Sequence, residues 1–219
     1  MRFKAVIFDM DGVIFDSERE GFLCWKELSE KYGFAENFDE NYRRIIGTNR
    51  VFAHGFFREC YGEDFPAEKY EEEKQQMVRE RFSGGRMPKK TGAVELLEYL
   101  KAEKIKTALA SSSYSDVVAR LLDESGLLKY FGFVAGGDMI SCSKPDPEIF
   151  LLAAKQLDVS PCECAVIEDS YNGIRAASAA GMFPIMVPDM LPPTFEMEEK
   201  AGVILPDLPA VKKYLQDTR

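Results

Sequence analysis

Short apolar segments alternate with helical patterns along most of the chain, and this alternation constrains the fold more than any other feature. A segment that is apolar at every position is typical of a strand covered on both faces of its sheet. Strands that alternate with helices predict a doubly wound parallel sheet, the Rossmann-like α/β class. The candidate strands lie at residues 4–8, 107–110, 133–135, 164–167 and 184–187.

One long stretch, from residue 16 to residue 87, breaks this rhythm. It has no strand pattern and is far longer than the dozen or so residues that a parallel crossover needs. Several helices are predicted instead. Their apolar positions include Phe22, Trp25, Leu28, Tyr32, Tyr42, Phe56 and Met77. We therefore predict an α/β core of residues 1–15 and 88–219, with an inserted all-helical cap domain of residues 16–87.

Composition excludes several classes of partner. The formal net charge of −9 disfavours nucleic acid, because phosphate backbones require clustered Lys and Arg. No apolar run approaches the ~20 residues of a membrane span, so no membrane partner is expected. The five cysteines form an odd and scattered set, which favours a reducing cytoplasm over a disulfide framework.

The chain has a single histidine, His54, in an aromatic helical stretch. A Ser-His-Asp triad or a His-rich zinc site would have to use it. No carboxylate lies within one turn of it in the sequence, and we interpret it as a histidine on a helix face. Catalysis is therefore expected to depend on carboxylates.

Polar residues follow the predicted strands at the points where those strands end. In a doubly wound sheet the carboxyl ends of the strands meet at one crevice, where ligands bind. Lys144 precedes a predicted helix on the same side. The residues expected to converge there are Asp9, Asp11, Ser111, Ser112, Lys144, Glu168 and Asp169.

Carboxylates brought this close repel one another unless a cation or a proton intervenes. Asp9 and Asp169 offer hard oxygen ligands, which predict Mg²⁺ rather than zinc. The competing interpretation of Asp9–Gly12 is an EF-hand calcium loop. It fails because Val13 and Ile14 occupy positions where that loop requires a ligand and a glycine.

The expected chemistry is phosphoryl transfer through a covalent intermediate. Hydrolysis of phosphate monoesters demands rate enhancements up to ~10²¹, whereas general acid-base catalysis supplies about 10²–10⁴. Asp9 is the candidate nucleophile, and Asp11 is the candidate acid and base, provided that its pKa is raised. Ser111 and Lys144 are candidates for holding the phosphoryl oxygens.

Four motifs in this order resemble the haloacid dehalogenase superfamily of aspartyl-phosphate phosphohydrolases, in the branch similar to β-phosphoglucomutase. They are Asp-Met-Asp-Gly-Val at 9–13, Ala-Ser-Ser at 110–112, Ser-Lys-Pro-Asp-Pro at 143–147, and Glu-Asp-Ser-x-Asn-Gly at 168–173. The resemblance implies magnesium on Asp9, Asp169 and the Asp11 carbonyl, with Glu168 close behind. It also implies a four-helix cap whose segment with Gly47 and Arg50 contacts substrate phosphate, and a monomer.

Several functions compete with this interpretation. A dehalogenase has no use for Asp11 or for the acidic pair at 168–169, and a signalling receiver domain needs neither a cap nor this length. A phosphosugar mutase of the β-phosphoglucomutase type is the main alternative. Mutases carry a histidine on the first cap helix and a lysine before the cap glycine, where this chain has Gly21 and Ile46. We therefore predict a phosphatase that hydrolyses small phosphorylated metabolites, in particular sugar phosphates.

Overall fold

The structure is a computed structural model that describes residues 3–46, 48 and 50–218. Its centre is a parallel sheet of six strands in the order β3-β2-β1-β4-β5-β6. The strands are β1 (Ala5–Phe8), β2 (Lys106–Ala110), β3 (Phe133–Ala135), β4 (Cys164–Glu168), β5 (Phe183–Met186) and β6 (Val203–Ile204). The predicted doubly wound α/β class is confirmed.

The helices connect these strands and cover both faces of the sheet. In chain order they are α1 (Ser17–Tyr32), α2 (Phe38–Ile45), α3 (Arg50–Tyr61), α4 (Ala67–Phe82), α5 (Ala93–Ala102), α6 (Ser115–Glu124), α7 (Glu148–Leu157), α8 (Tyr171–Ala179), α9 (Phe195–Lys200) and α10 (Leu208–Asp217). Helices α5, α6 and α10 pack on one face, and α7 and α8 pack on the other.

The central strand shows why its sequence is apolar throughout. Successive side chains of a strand point to opposite faces. Val6 and Phe8 accordingly join the cluster with α5, α6 and α10, whereas Ala5 and Ile7 join the cluster with α7 and α8. Because all four are buried, β1 has no solvated face. The two clusters bury the sheet on both of its faces.

Helices α1 to α4 share an aromatic cluster of their own. Its buried members are Trp25, Leu28, Phe34, Phe38, Tyr42, Phe57, Phe65 and Ala67. Within it, the ring centroids of Phe34 and Phe65 lie 4.9 Å apart at nearly a right angle. Edge-to-face packing of this kind stabilises aromatic clusters beyond the area that they bury. The four helices are those expected between β1 and α5; the division into domains stays a prediction.

The predicted strands agree with the observed ones to within one residue at each end. Strand β6 was not predicted, because a segment of two residues carries no periodic signal. No helix in the described part of the chain has the length and apolarity to cross a membrane.

The strand order shows where a ligand-binding crevice opens along the sheet. β1 pairs with β2 on one side and with β4 on the other. From β2 the chain continues to β3 at one edge of the sheet, and from β4 it continues to β5 and β6 at the opposite edge. Such a switch point opens a crevice at the carboxyl ends of the strands. Asp9 follows β1 directly and therefore lies at this crevice.

Candidate active site

Asp9 is fixed at the end of the central strand. Its backbone N–H donates to the Ile167 carbonyl at 3.0 Å, which continues the ladder between β1 and β4. The side chain is buried, and its Oδ1 accepts a hydrogen bond from Lys144 Nζ at 2.5 Å. The carboxylate is thereby held at the base of the crevice.

A tight turn after Asp9 returns the chain toward the cap helices. The N–H groups of Ile14 and Phe15 both donate to the Met10 carbonyl, at 2.9 and 3.0 Å. Gly12 has a φ of +75°, and a Cβ added there would lie 2.4 Å from Asp169 Oδ2. Only glycine combines this backbone conformation with so close an approach. Gly12 thus lets Asp169 come against the turn that follows Asp9.

Lys144 is buried between two carboxylates. Its Nζ donates to Asp9 Oδ1, to Glu168 Oε1 at 2.7 Å and to the Ala110 carbonyl at 3.1 Å. These three bonds use all the donors of the ammonium group. Glu168 Oε2 accepts from the backbone N–H and the hydroxyl of Ser170, at 2.8 and 2.9 Å. The network ties β1, β2 and β4 to the start of α8.

Electrostatics in this network follow from burial. Burial raises the pKa of Asp9 to about 8, with the charges of Glu168 and Asp11 acting in the same direction and Lys144 opposing them. Burial acts to lower the pKa of Lys144, but the two adjacent carboxylates outweigh it and raise that pKa above its usual value. The ammonium group therefore stays charged and offsets part of the negative charge.

Asp11 lies within reach of two hydroxyl donors. Its Oδ1 accepts from Ser17 Oγ at 2.5 Å, and its Oδ2 accepts from Ser111 Oγ at 3.5 Å. Ser111 Oγ in turn accepts from the N–H of Ser113 at 3.1 Å. Burial raises the pKa of Asp11, against the hydrogen bond from Ser17. A raised pKa is the condition that proton transfer by an aspartic acid requires.

Asp169 is a carboxylate without a hydrogen-bond or ion-pair partner among residues 3–46, 48 and 50–218. Burial and the charges of Glu168 and Asp9 raise the pKa of Asp169 well above its usual value. The same part of the chain contains no cluster of three or more His, Cys, Asp or Glu side chains arranged for a metal. The predicted site uses two such side chains with a backbone carbonyl, and hard carboxylate oxygens suit Mg²⁺. The residues present therefore fit the cation.

Glu168 differs from Asp169 because its carboxylate is fully hydrogen-bonded. Both of its oxygens already accept hydrogen bonds, and its side chain is 1% exposed. A Cβ at Gly173 would lie 1.8 Å from Glu168 Cδ, so the start of α8 closes over it. Glu168 is therefore held in place and contacts Lys144, and its predicted position behind metal ligands stays a prediction.

The cap side of the site contributes fewer contacts. Arg50 lines the cavity over Asp9 with its side chain 61% exposed, and its guanidinium lies 3.7 Å from Glu71 Oε1. Ser112 lines the same cavity, which has a volume of about 340 Å³. Gly47 lies outside the described residues. Its predicted contact with substrate stays a prediction.

Several residues at the site were not predicted from the sequence, among them Ser17, Glu18 and Lys74. Ser17 donates to Asp11, and Glu18 and Lys74 line the cavities beside it. Polar residues one turn after the catalytic motif were the available signal for Ser17 and Glu18. Lys74 lies in a charged helical segment that we would interpret as solvated, and only the packing of α4 against α1 brings it here.

His54 is a buried residue of α3, away from this cluster. Its Nε2 lies 2.7 Å from Glu71 Oε2, and its Nδ1 lies 3.4 Å from Glu68 Oε1. It does not line the cavity over Asp9. Its sequence-based placement on a helix is confirmed, but its carboxylate partners on α4 were not visible from local sequence.

A parallel sheet with aspartates and a lysine at its carboxyl edge, beneath inserted helices, defines a class of hydrolases that work through an aspartate. Comparisons agree with this class. A family model described as a haloacid dehalogenase-like hydrolase matches residues 3–181.

Individual relatives cover most of the chain. The phosphorylated carbohydrates phosphatase of Thermotoga maritima is 35% identical over 82% of this chain and 82% of the relative. The β-phosphoglucomutase of Bacillus subtilis is 36% identical over 84% of this chain and 83% of the relative. The solved β-phosphoglucomutase of Clostridium difficile superposes with a TM-score of 0.76 at 28% identity, over 98% of this chain and 96% of that one.

This chain belongs to the haloacid dehalogenase-like hydrolases. It is a phosphohydrolase of the branch that is similar to β-phosphoglucomutase. Phosphatases and phosphoglucomutases of this family generally use Mg²⁺.

Proposed function

We propose that the protein hydrolyses phosphate monoesters of small sugars, with Asp9 as the nucleophile and water as the final acceptor. The observation that carries this proposal is the buried contact of Asp9 with Lys144, beside a second aspartate whose pKa is raised. The first group has an oxygen fixed for attack, and the raised pKa of the second favours the protonated form that can supply a proton to the leaving group. The two roles are distinct because Lys144 contacts only Asp9 of the pair.

In the first half-reaction, an oxygen of Asp9 forms a bond to phosphorus while the bond from phosphorus to the ester oxygen breaks. Asp11 gives its proton to that oxygen, so that a neutral alcohol leaves. In the second half-reaction, Asp11 takes a proton from water, whose oxygen attacks the aspartyl-phosphate. Asp9 and inorganic phosphate are released, and Asp11 is protonated again.

Lys144, Ser111 and Ser112 are assigned to the phosphoryl group. Lys144 supplies a fixed positive charge at the base of the cavity, and the hydroxyl of Ser111 lies between Asp11 and the end of β2. A fixed positive charge of this kind stabilises the negative charge that builds up on a transferring phosphoryl group. Ser112 and Arg50, which border the cavity, are assigned to binding the substrate.

Magnesium would be held by Asp9, Asp169 and the backbone carbonyl of Asp11, with Glu168 behind them. When bound, the ion offsets the negative charge of the phosphoryl group and of the aspartates. Burial and the charges of neighbouring carboxylates raise the pKa values of Asp9 and Asp169, and a bound cation would favour their ionised forms.

The choice of sugar phosphates rests on the relatives and on the cavity. One relative is named as a phosphatase of phosphorylated carbohydrates. The cavity of about 340 Å³ over Asp9 has room for a phosphoryl group and a small part of its ester. We further propose that the protein acts in the cytoplasm as a monomer; its five free cysteines support the reducing compartment.

A phosphosugar mutase is the second candidate, supported by the similarity to β-phosphoglucomutases. We favour hydrolysis because Gly21 stands where the mutases carry a histidine. A Cβ at Gly21 would meet nothing within 4 Å, which leaves open space in this wall. The deciding assay supplies β-glucose 1-phosphate with a trace of the 1,6-bisphosphate. Formation of glucose 6-phosphate much faster than inorganic phosphate would favour the mutase.

Asp9→Asn tests the nucleophile. We expect the variant to fold and to release no phosphate from any sugar phosphate in the presence of Mg²⁺, because an amide oxygen does not form the phosphoenzyme. Circular dichroism and thermal melting check the fold, and a phosphate-release assay checks turnover. Asp64→Asn, at an exposed position of the chain, is the matched control. Substantial turnover by purified Asp9→Asn protein would refute the assignment.

A further inference from the structure

A second cavity borders Asp11 but does not include Asp9 in its lining. Its volume is about 450 Å³, and it is bordered by α1 and α4 of the cap and by the start of α6. Both cavities include Asp11, Glu18, Arg50 and Ser112 in their walls. An ester whose phosphoryl group lies against Asp9 would extend its leaving group past Asp11 into this second space.

Glu18 stands where the two cavities meet. It is in the first turn of α1, one residue after Ser17, whose hydroxyl donates to Asp11. Within residues 3–46, 48 and 50–218, no hydrogen bond or ion pair is made by the Glu18 carboxylate. The carboxylate is half-buried and lines both cavities, so it can accept a hydrogen bond from a donor on a bound ligand.

Lys74 faces the same space from α4. It is half-buried, and its ammonium group has no ion-pair partner in the described part of the chain. Its charge acts on both Glu18 and Asp11, so it lies within electrostatic range of them. Two groups of opposite charge thus border one cavity without contacting each other. The gap between them is suited to a polar group that both donates and accepts.

We propose that Glu18 and Lys74 recognise hydroxyl groups on the leaving group of the substrate. Glu18 accepts a hydrogen bond from a hydroxyl, and Lys74 donates one to an oxygen of the same or the adjacent hydroxyl. This inference rests on the proposed function and names the part of the protein that selects polyhydroxylated esters. Neither residue takes part in the bonds that form or break.

A second phosphate group is a poorer ligand for this position. The charge of Lys74 is offset by Glu18, and Asp11 and Glu71 add negative charge to the same wall. The same cavity is also bordered by Arg50, Arg79 and Arg120. Arg50 lies 3.7 Å from Glu71 Oε1 and Arg120 lies 3.5 Å from Glu124 Oε1, so a carboxylate offsets each of these two charges, and Arg79 is exposed to solvent. A neutral hydroxyl avoids the repulsion that a phosphate dianion would meet there.

The test compares sugar phosphates with an alkyl ester that lacks hydroxyls. Glucose 6-phosphate, fructose 1-phosphate and ribose 5-phosphate are assayed beside n-propyl phosphate, and the selectivity is the ratio of kcat/KM for the best sugar phosphate to that for n-propyl phosphate. We expect Glu18→Met and Lys74→Met each to lower this ratio about tenfold, the size expected for losing a hydrogen bond to a charged group.

Three further variants serve as controls for this measurement. Glu18→Gln keeps an acceptor oxygen and is expected to retain most of the selectivity. Glu30→Gln and Lys69→Met change the same residue types at exposed positions of α1 and α4 and should leave the ratio unchanged. Thermal melting of each variant establishes that it is folded.

The outcomes separate this inference from the proposed function. If the wild type prefers sugar phosphates but either methionine variant keeps a ratio within about twofold of it, the assignment of Glu18 and Lys74 is overturned and the sugar phosphatase stands. If the wild type hydrolyses n-propyl phosphate but no sugar phosphate, both are overturned. A tenfold fall in both methionine variants, with both exposed controls unchanged, supports the inference.

Discussion

Replacing Glu18 by glutamine should stabilise the folded protein at neutral and alkaline pH. Burial raises the pKa of Glu18 from 4.5 to about 7, with the charges of Asp11 and Asp189 acting in the same direction and Lys74 opposing them. The carboxylate form is therefore less favourable in the folded protein than in the unfolded chain. Glutamine has nearly the same shape and never ionises.

The magnitude follows from the pKa shift. One pKa unit corresponds to about 1.4 kcal/mol, so the shift of Glu18 corresponds to about 3 kcal/mol of unfolding free energy. For a chain of 219 residues, each kcal/mol changes the melting temperature by about 2–4 °C. The variant should therefore melt roughly 10 °C above the wild type once Glu18 is fully ionised in both states.

The sign depends on pH in a defined way. Between the unfolded pKa of 4.5 and the folded pKa of about 7, the folded protein holds a proton that the unfolded chain has released. The unfolding free energy of the wild type therefore falls as pH rises through this window. Glu18→Gln lacks this contribution. The difference in stability should be near zero below the window and largest above it.

The assay is thermal melting at a series of pH values between about 4 and 8 in the presence of a chelator, so that metal binding does not contribute. Glu30→Gln, on the exposed face of the same helix, is the control and should follow the wild type at every pH. If the curves for Glu18→Gln and wild type stay parallel across the series, the carboxylate is solvated and the argument from its burial is wrong.

Two further substitutions test the buried network. Lys144→Met should lower the unfolding free energy by about 3–5 kcal/mol, because it leaves Asp9 and Glu168 buried without their cation. Urea titration measures this difference, and a loss below about 1 kcal/mol would contradict the prediction. Gly173→Ala should lower both stability, by about 1–3 kcal/mol, and phosphate release, since its Cβ would lie 1.8 Å from Glu168 Cδ. Its control is Gly55→Ala in α3, where a Cβ meets nothing within 4 Å, and equal effects of the two changes would show that the contact with Glu168 is unimportant.

Local sequence determined the α/β architecture and the identity of the central acidic groups. The apolar run of β1 is buried on both faces because its neighbours are parallel strands covered by helices, and such runs are visible without coordinates. Asp9, Ser111 and Glu168 come at strand ends, and a parallel sheet necessarily brings those ends to one edge. The convergence of these residues was therefore predictable.

Only the tertiary structure decided which of these groups touch. Lys144 donates to Asp9, which is 135 positions away in sequence, and also to Glu168, and no local propensity encodes either distance. The close approach of Asp169 to Gly12 likewise depends on the packing of β4 against β1.

The cap side shows the limit of local sequence most clearly. Glu18 and Lys74 lie on different helices, and both have the composition of solvated helix faces. The packing of α1 against α4 brings their side chains into the wall of one cavity with Asp11. Burial and charge at a site depend on contacts between distant segments, and such contacts form only when the whole chain folds.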